Sequence, residues 1–221
     1  MSDNSEELMR VRLAYRTLYT YNQRILGLVR QVASSFDCFR WSGMYVPYDE
    51  DDIIGEDWSP ASQERCILSA TPLLAAYFMF YKNQNGADGN QHTAGDELLS
   101  LQFTADAELN EIIEISEDGE TEAHPIPTNL LASDATTSKA YARIALARCM
   151  TSCTGKTWFR VWDKIEFADH ELEVSHWPSG AKSRYSLIYQ DLPEEMAFDS
   201  ASLLPAVAAF IDTARPILVR S

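Results

Sequence analysis

The sequence predicts an α+β domain, an antiparallel sheet covered by a long N-terminal helix and a C-terminal helix. Three observations predict it. Apolar residues from Leu8 to Phe36 recur at spacings of three and four, those from Phe39 onward switch to a period of two, and a helical period returns after Ser202. The chain has 221 residues, 46% of them hydrophobic, which fits one domain spanning 1–221 with a single sizeable core.

In the first helix Leu8, Val11, Tyr15, Leu18, Ile25, Val29, Val32 and Phe36 make the stripe, with Asn22 filling its one gap and Asp3 or Asn4 as N-cap. Met9, Leu13, Tyr19, Leu26 and Leu28 widen it, which favours a helix lying across a sheet. Asn22 at a seam position keeps a second arrangement open, a homodimer joined through this helix, because a buried Asn sets register and partner number in coiled coils.

Strands are expected near Phe39 to Tyr45, Ala75 to Tyr81 and Leu98 to Thr104, the last two as an antiparallel pair. The string 83–96 is rich in Gly and Asn and reads as a mobile loop, as does the acidic, proline-containing stretch 116–138. Ala140, Ala142, Ile144 and Leu146 share one parity and predict a strand. Trp158, Phe159, Trp162 and Ile165 fit one face of a short helix, and Glu171 to His176 with Ser183 to Gln190 fit a hairpin. The final helix would take Ser202 as its cap and end at Pro216, burying Leu203, Val207, Phe210, Ile211 and Ala214.

Charge is distributed unevenly along the chain. The total is −15, yet residues 1–40 hold six basic and four acidic residues and residues 139–221 hold ten of each. Residues 41–138 hold 19 acidic residues against Arg65 and Lys82. Such a segment repels phosphate backbones and steers basic proteins, so direct nucleic-acid binding is not expected and a basic protein partner is. Asp49, Glu50, Asp51, Asp52, Glu56 and Asp57 lie among Trp41, Tyr45, Tyr48 and Trp58. Rings exclude water and carboxylates orient a cation, so these ten residues are the expected partner-binding set.

Chemistry has fewer candidates. Residues 150–157 end in Gly155, Lys156 and Thr157, as a phosphate-binding loop does, and Asp191 after an apolar run would hold its magnesium. Met150 stands where the first glycine belongs, so a nucleotide-binding enzyme is the alternative rather than the expectation. Cys149 and Cys153 lack the further ligands of a zinc site, and His170 with His176 lacks a third. Neither a metal nor a cofactor is expected, and a non-catalytic role is favoured. The acidic N-terminus has no secretory pattern, and the apolar run from Cys66 to Tyr81 is interrupted by Pro72, so a cytoplasmic protein without a membrane segment is expected. Inhibitors, immunity-type proteins and accessory proteins that cover a basic surface fit this profile.

Overall fold

The computed structural model describes residues 3–36, 40–45, 75–82, 91–105, 139–154, 158–162, 164–178, 180 and 183–220. Helix α1 (Asp3–Ser35) precedes strands β1 (Arg40–Tyr45), β2 (Ala75–Lys82), β3 (Gln91–His92), β4 (Glu97–Thr104), β5 (Tyr141–Cys149) and β6 (Cys153–Thr154). Helix α2 (Trp158–Trp162), strands β7 (Ser175–Trp177) and β8 (Tyr185–Pro193), and helices α3 (Glu194–Ala197) and α4 (Ser200–Arg220) complete the order. The fold is α+β, as the sequence predicts.

Six strands pair in the order β1-β2-β4-β5-β8-β7, every neighbour antiparallel. β3 and β6 form a separate two-stranded ladder. Strand parity decides where each side chain goes. Leu99, Leu101 and Phe103 of β4 and Ala142, Ile144 and Leu146 of β5 enter a core shared with α1 and α4. Leu98, Ala145, Ala147 and Cys149 enter a second core on the opposite face, with Trp158, Val161 and Tyr185. Both faces are therefore covered, which is why the alternation in 140–149 is imperfect: a strand buried on both sides has no polar face to display.

α4 starts one residue after Asp199, whose Oδ2 accepts from the Ser202 amide at 3.0 Å and from the Ser202 hydroxyl at 2.7 Å. Asp199, not Ser202, supplies the accepting side chain, because its carboxylate reaches an amide left without an intrahelical partner. Pro216 does not end the helix, which continues to Arg220. α4 is long and apolar enough to cross a bilayer, but Leu203, Val207, Phe210, Ile211, Ala214 and Leu218 are buried in the first core.

α1 divides into two halves. Ile25, Leu26, Val29 and Val32 are buried against the sheet and α4, whereas Leu8, Met9, Val11, Leu13, Tyr15 and Tyr19 are exposed. The expectation of a helix lying across a sheet holds for the second half alone. Asn22, expected as a coiled-coil register residue, is buried inside this chain's own fold.

The short elements also depart from expectation. Residues 91–96, placed in a mobile loop by their composition, form β3 and a hydrogen-bonded turn into β4, with His92 and Asp96 buried. His170 lies in a bend outside β7, so it does not share a strand face with His176. The rest of the stretch 83–96 and all of 116–138 lie outside the described residues.

Leu146 is fully buried in the first core between β4, β8 and the helices. Leu146→Ala should lower unfolding free energy by about 2–5 kcal/mol, seen as a lower urea midpoint with an unchanged slope. A loss below about 1 kcal/mol would mean that this core is loosely packed.

Candidate functional site

The pairing register places four strand ends in one row. Tyr45 of β1 lies opposite Tyr77, Ala75 of β2 opposite Thr104, and Thr104 of β4 opposite Tyr141. Two long connections, 46–74 from β1 to β2 and 105–140 from β4 to β5, thus leave and rejoin the sheet at the same end. The first holds seven acidic residues and Arg65, net −6, and the second nine acidic residues and Lys139, net −8. Together they account for −14 of the net charge of −15, and the remainder of the chain has sixteen basic and seventeen acidic residues.

Of the expected partner-binding residues Tyr45 falls at this end, whereas Trp41 pairs with Phe80 toward the opposite end of β1. Trp41 and Tyr45 belong to β1, an edge strand with a register shift between Trp41 and Gly43. Tyr48, Asp49, Glu50, Asp51, Asp52, Glu56, Asp57 and Trp58 belong to the 46–74 connection and lie outside the described residues. The second connection was not among the expected residues, because its proximity to the first follows from strand pairing and is invisible in the linear order.

Of the 19 acidic residues in 41–138, Asp96 and Glu97 are described, and both are used internally. Asp96 Oδ2 accepts from the Thr93 amide at 2.7 Å. Glu97, 2% exposed, accepts from Arg148 Nη1 at 2.7 Å and from Arg215 Nη2 at 2.8 Å, so its buried charge is opposed by two guanidinium groups. These pairs stand at the end of the sheet away from the acidic connections, since Glu97 is opposite Lys82 and Arg148.

That far end also holds the densest group of chemically active side chains. The Tyr185 hydroxyl lies 2.7 Å from His92 Nδ1 and 2.8 Å from Cys153 Sγ, and His92 stacks on Trp158 at 4.3 Å between ring centroids. Cys149 Sγ donates to the Thr151 carbonyl at 3.3 Å. Burial pushes the Cys149 thiol up to about 12, with the Cys153 sulfur and the Asp96 carboxylate adding to it. Burial, then the bond to Cys153, raises the Tyr185 phenol well above its ordinary range. Through these bonds Tyr185 of β8 ties His92 of β3 to Cys153 of β6.

The phosphate-loop alternative loses two of its parts. Asp191, the expected magnesium carboxylate, takes a bidentate bond from Arg143, with Nε to Oδ1 at 2.7 Å and Nη2 to Oδ2 at 2.9 Å. Tyr189 and Phe167 flank the same guanidinium at 4.5 and 4.6 Å. The amides of Met150 and Thr151 both donate to the Arg184 carbonyl rather than toward a ligand. Gly155, Lys156 and Thr157 lie outside the described residues. Among the described residues no three His, Cys, Asp or Glu side chains converge to hold a metal.

Compared with known proteins, residues 2–216 match one family model, described as PM0109. The chain belongs to the PM0109 family. No curated protein and no solved structure matches it. The match covers α1, the whole sheet and most of α4.

The thiol shift makes a prediction about pH. The Cys149 proton leaves near its ordinary 9.0 in the unfolded chain but near 12 in the folded one. Its contribution to stability is complete below pH 9 and is lost as pH rises toward 12, because the unfolded state releases the proton first. Urea midpoints followed across that window should fall less steeply for Cys149→Ala than for the unaltered chain. An identical fall in both would remove this thiol as a source of alkaline sensitivity.

Proposed function

We propose that this is a non-catalytic interaction protein whose two acidic connections, 46–74 and 105–140, dock a basic protein partner. The observation that carries the proposal is the shared row of strand ends at Tyr45, Ala75, Thr104 and Tyr141, from which stretches of net −6 and −8 depart. Charges of one sign held near one another reinforce their potential over distances of about 10 Å at 0.1 M salt, whereas the same charges spread around a surface do not. The rest of the chain, at net −1, does not offset that field. An inhibitor, immunity-type or accessory protein that covers a basic surface acts in this way, with carboxylates steering the approach and Trp41, Tyr45, Tyr48 and Trp58 supplying apolar anchors. No cofactor or metal enters the proposal, and the cytoplasm is its proposed location.

Affinity capture from the native host, followed by binding kinetics on the recovered partner, tests this. Replacing Asp49, Asp51 and Asp52 by Lys should slow association at least about tenfold at low ionic strength and flatten its salt dependence, with a smaller change in dissociation. A partner that binds the triple variant at the unaltered rate would rule out the 46–74 connection as the docking element.

A further inference from the structure

Two cysteines of the same short stretch converge on one tyrosine. β5 closes at Cys149, which lies opposite Tyr185 in the β5–β8 ladder, and β6 opens at Cys153 after the chain bends at Thr151. Opposed residues of an antiparallel pair point to one face, so Cys149 and the Tyr185 ring share the second core, against which Cys153 packs. The Tyr185 hydroxyl lies 2.8 Å from Cys153 Sγ. The Cys153 side chain also reaches the Cys149 thiol, by a hydrogen bond and by its charge. Both are free thiols. This pair stands at the end of the sheet opposite the acidic connections and is independent of any docking there.

The two sulfurs have unlike surroundings. Cys149 is fully buried, and its S–H donates to the Thr151 carbonyl at 3.3 Å, so it stays a neutral thiol. Cys153 is partly exposed and has a hydroxyl at its sulfur. On the other side of that hydroxyl, at 2.7 Å, stands His92 Nδ1, fixed by the stacking of its ring on Trp158. When Nδ1 carries the imidazole proton, His92 donates to Tyr185 Oη and the Tyr185 hydrogen is turned toward Cys153. A donor so aimed favours a sulfur that carries negative charge, which is the form that attacks peroxides.

We propose that Cys153 is a site of oxidation by hydroperoxides and that Cys149 is its resolving thiol, the two closing reversibly to a disulfide. The Cys153 sulfur, its proton released, attacks one oxygen of ROOH; an S–O bond forms, the O–O bond breaks, and the alcohol leaves with that proton. The Cys149 sulfur then attacks the resulting sulfenic sulfur; the S–S bond forms, the S–O bond breaks, and hydroxide leaves as water with the Cys149 proton. In sum two thiols give up two electrons and two protons, and the hydroperoxide is reduced to an alcohol and water. Closure withdraws Cys153 from Tyr185, releasing one of the two bonds through which that tyrosine ties β3 to β6. A thiol pair that closes only under an oxidant acts as a redox sensor rather than as a structural staple.

Peptide mass measurement on the full chain provides the test. Arg148 and Lys156 flank the pair, so trypsin releases both cysteines in the single peptide 149–156. The folded chain is exposed to hydrogen peroxide, then unfolded in an alkylating agent and digested. The peptide should carry no alkyl group and weigh about 2 Da less than its reduced form, the mass of two hydrogens, and should take up two alkyl groups after dithiothreitol. Cys149→Ala should leave a sulfenic acid on Cys153 that dimedone captures, and Cys153→Ala should leave Cys149 unoxidised. Tyr185→Phe, which keeps the ring, should slow closure at least about threefold. A peptide from the unaltered chain that still takes two alkyl groups without reduction overturns the proposal. So does a disulfide from Cys153 to Cys38 or Cys66, or dimedone capture on Cys149 in the Cys153→Ala variant. Closure of Tyr185→Phe at the unaltered rate overturns the activation of Cys153 by that hydroxyl.

Discussion

Burial of both faces of the central strands is the constraint on which the rest of the molecule depends. β4 is buried at all eight positions, and β5 and β8 at six of nine each. A charge inside such a layer is tolerated only when another opposes it within hydrogen-bonding distance. The four charged residues of these three strands obey that rule: Glu97 meets Arg148 and Arg215, and Arg143 meets Asp191. The frame is left nearly neutral, and −14 of the net charge of −15 lies in the two connections.

Antiparallel pairing then gives the sheet two unlike ends. At one end the chain turns tightly: Gly95, at φ 97°, donates to the Cys149 carbonyl, Asp96 holds the Thr93 amide, and Tyr185 joins His92 to Cys153. At the other end two connections of about thirty residues each leave adjacent strands, far longer than the few residues that usually join antiparallel neighbours. Long insertions of that kind concentrate where a fold carries function, on a rigid frame that holds their ends.

Elements with a single exposed face were legible in the sequence. The period of α1 and the buried face of α4 from Leu203 to Ala214 appear in the structure as read, and β4 forms where its alternation predicts a strand although both of its faces are buried. Where tertiary contacts outweigh local pattern, the sequence misleads. His92 sits in a glycine-rich string with no apolar neighbour, yet Trp158 and Tyr185, distant in sequence, bury it and give β3 its partner. Pro216 should stop a helix by its missing amide and its ring, but Leu218, fully buried in the core, keeps the last turn of α4 attached. The exposure of Leu8 and Val11 was equally hidden, since their spacing is the same as that of the buried Ile25 and Val29. For the candidate site, the acidic bias of 41–138 was plain in composition, whereas the common row of strand ends from which two separate stretches depart required the register of β1, β2, β4 and β5.

The central claim is that one end of the sheet carries a single negative field. Amide relaxation by a cationic nitroxide cosolute, divided residue by residue by that of a neutral one, measures local potential without any partner and cancels differences in burial. The account predicts ratios well above unity at Tyr45, Ala75, Ala105 and Tyr141, falling toward unity at Lys82, Asp96 and Met150 at the opposite end. Equal ratios at the two ends would contradict it.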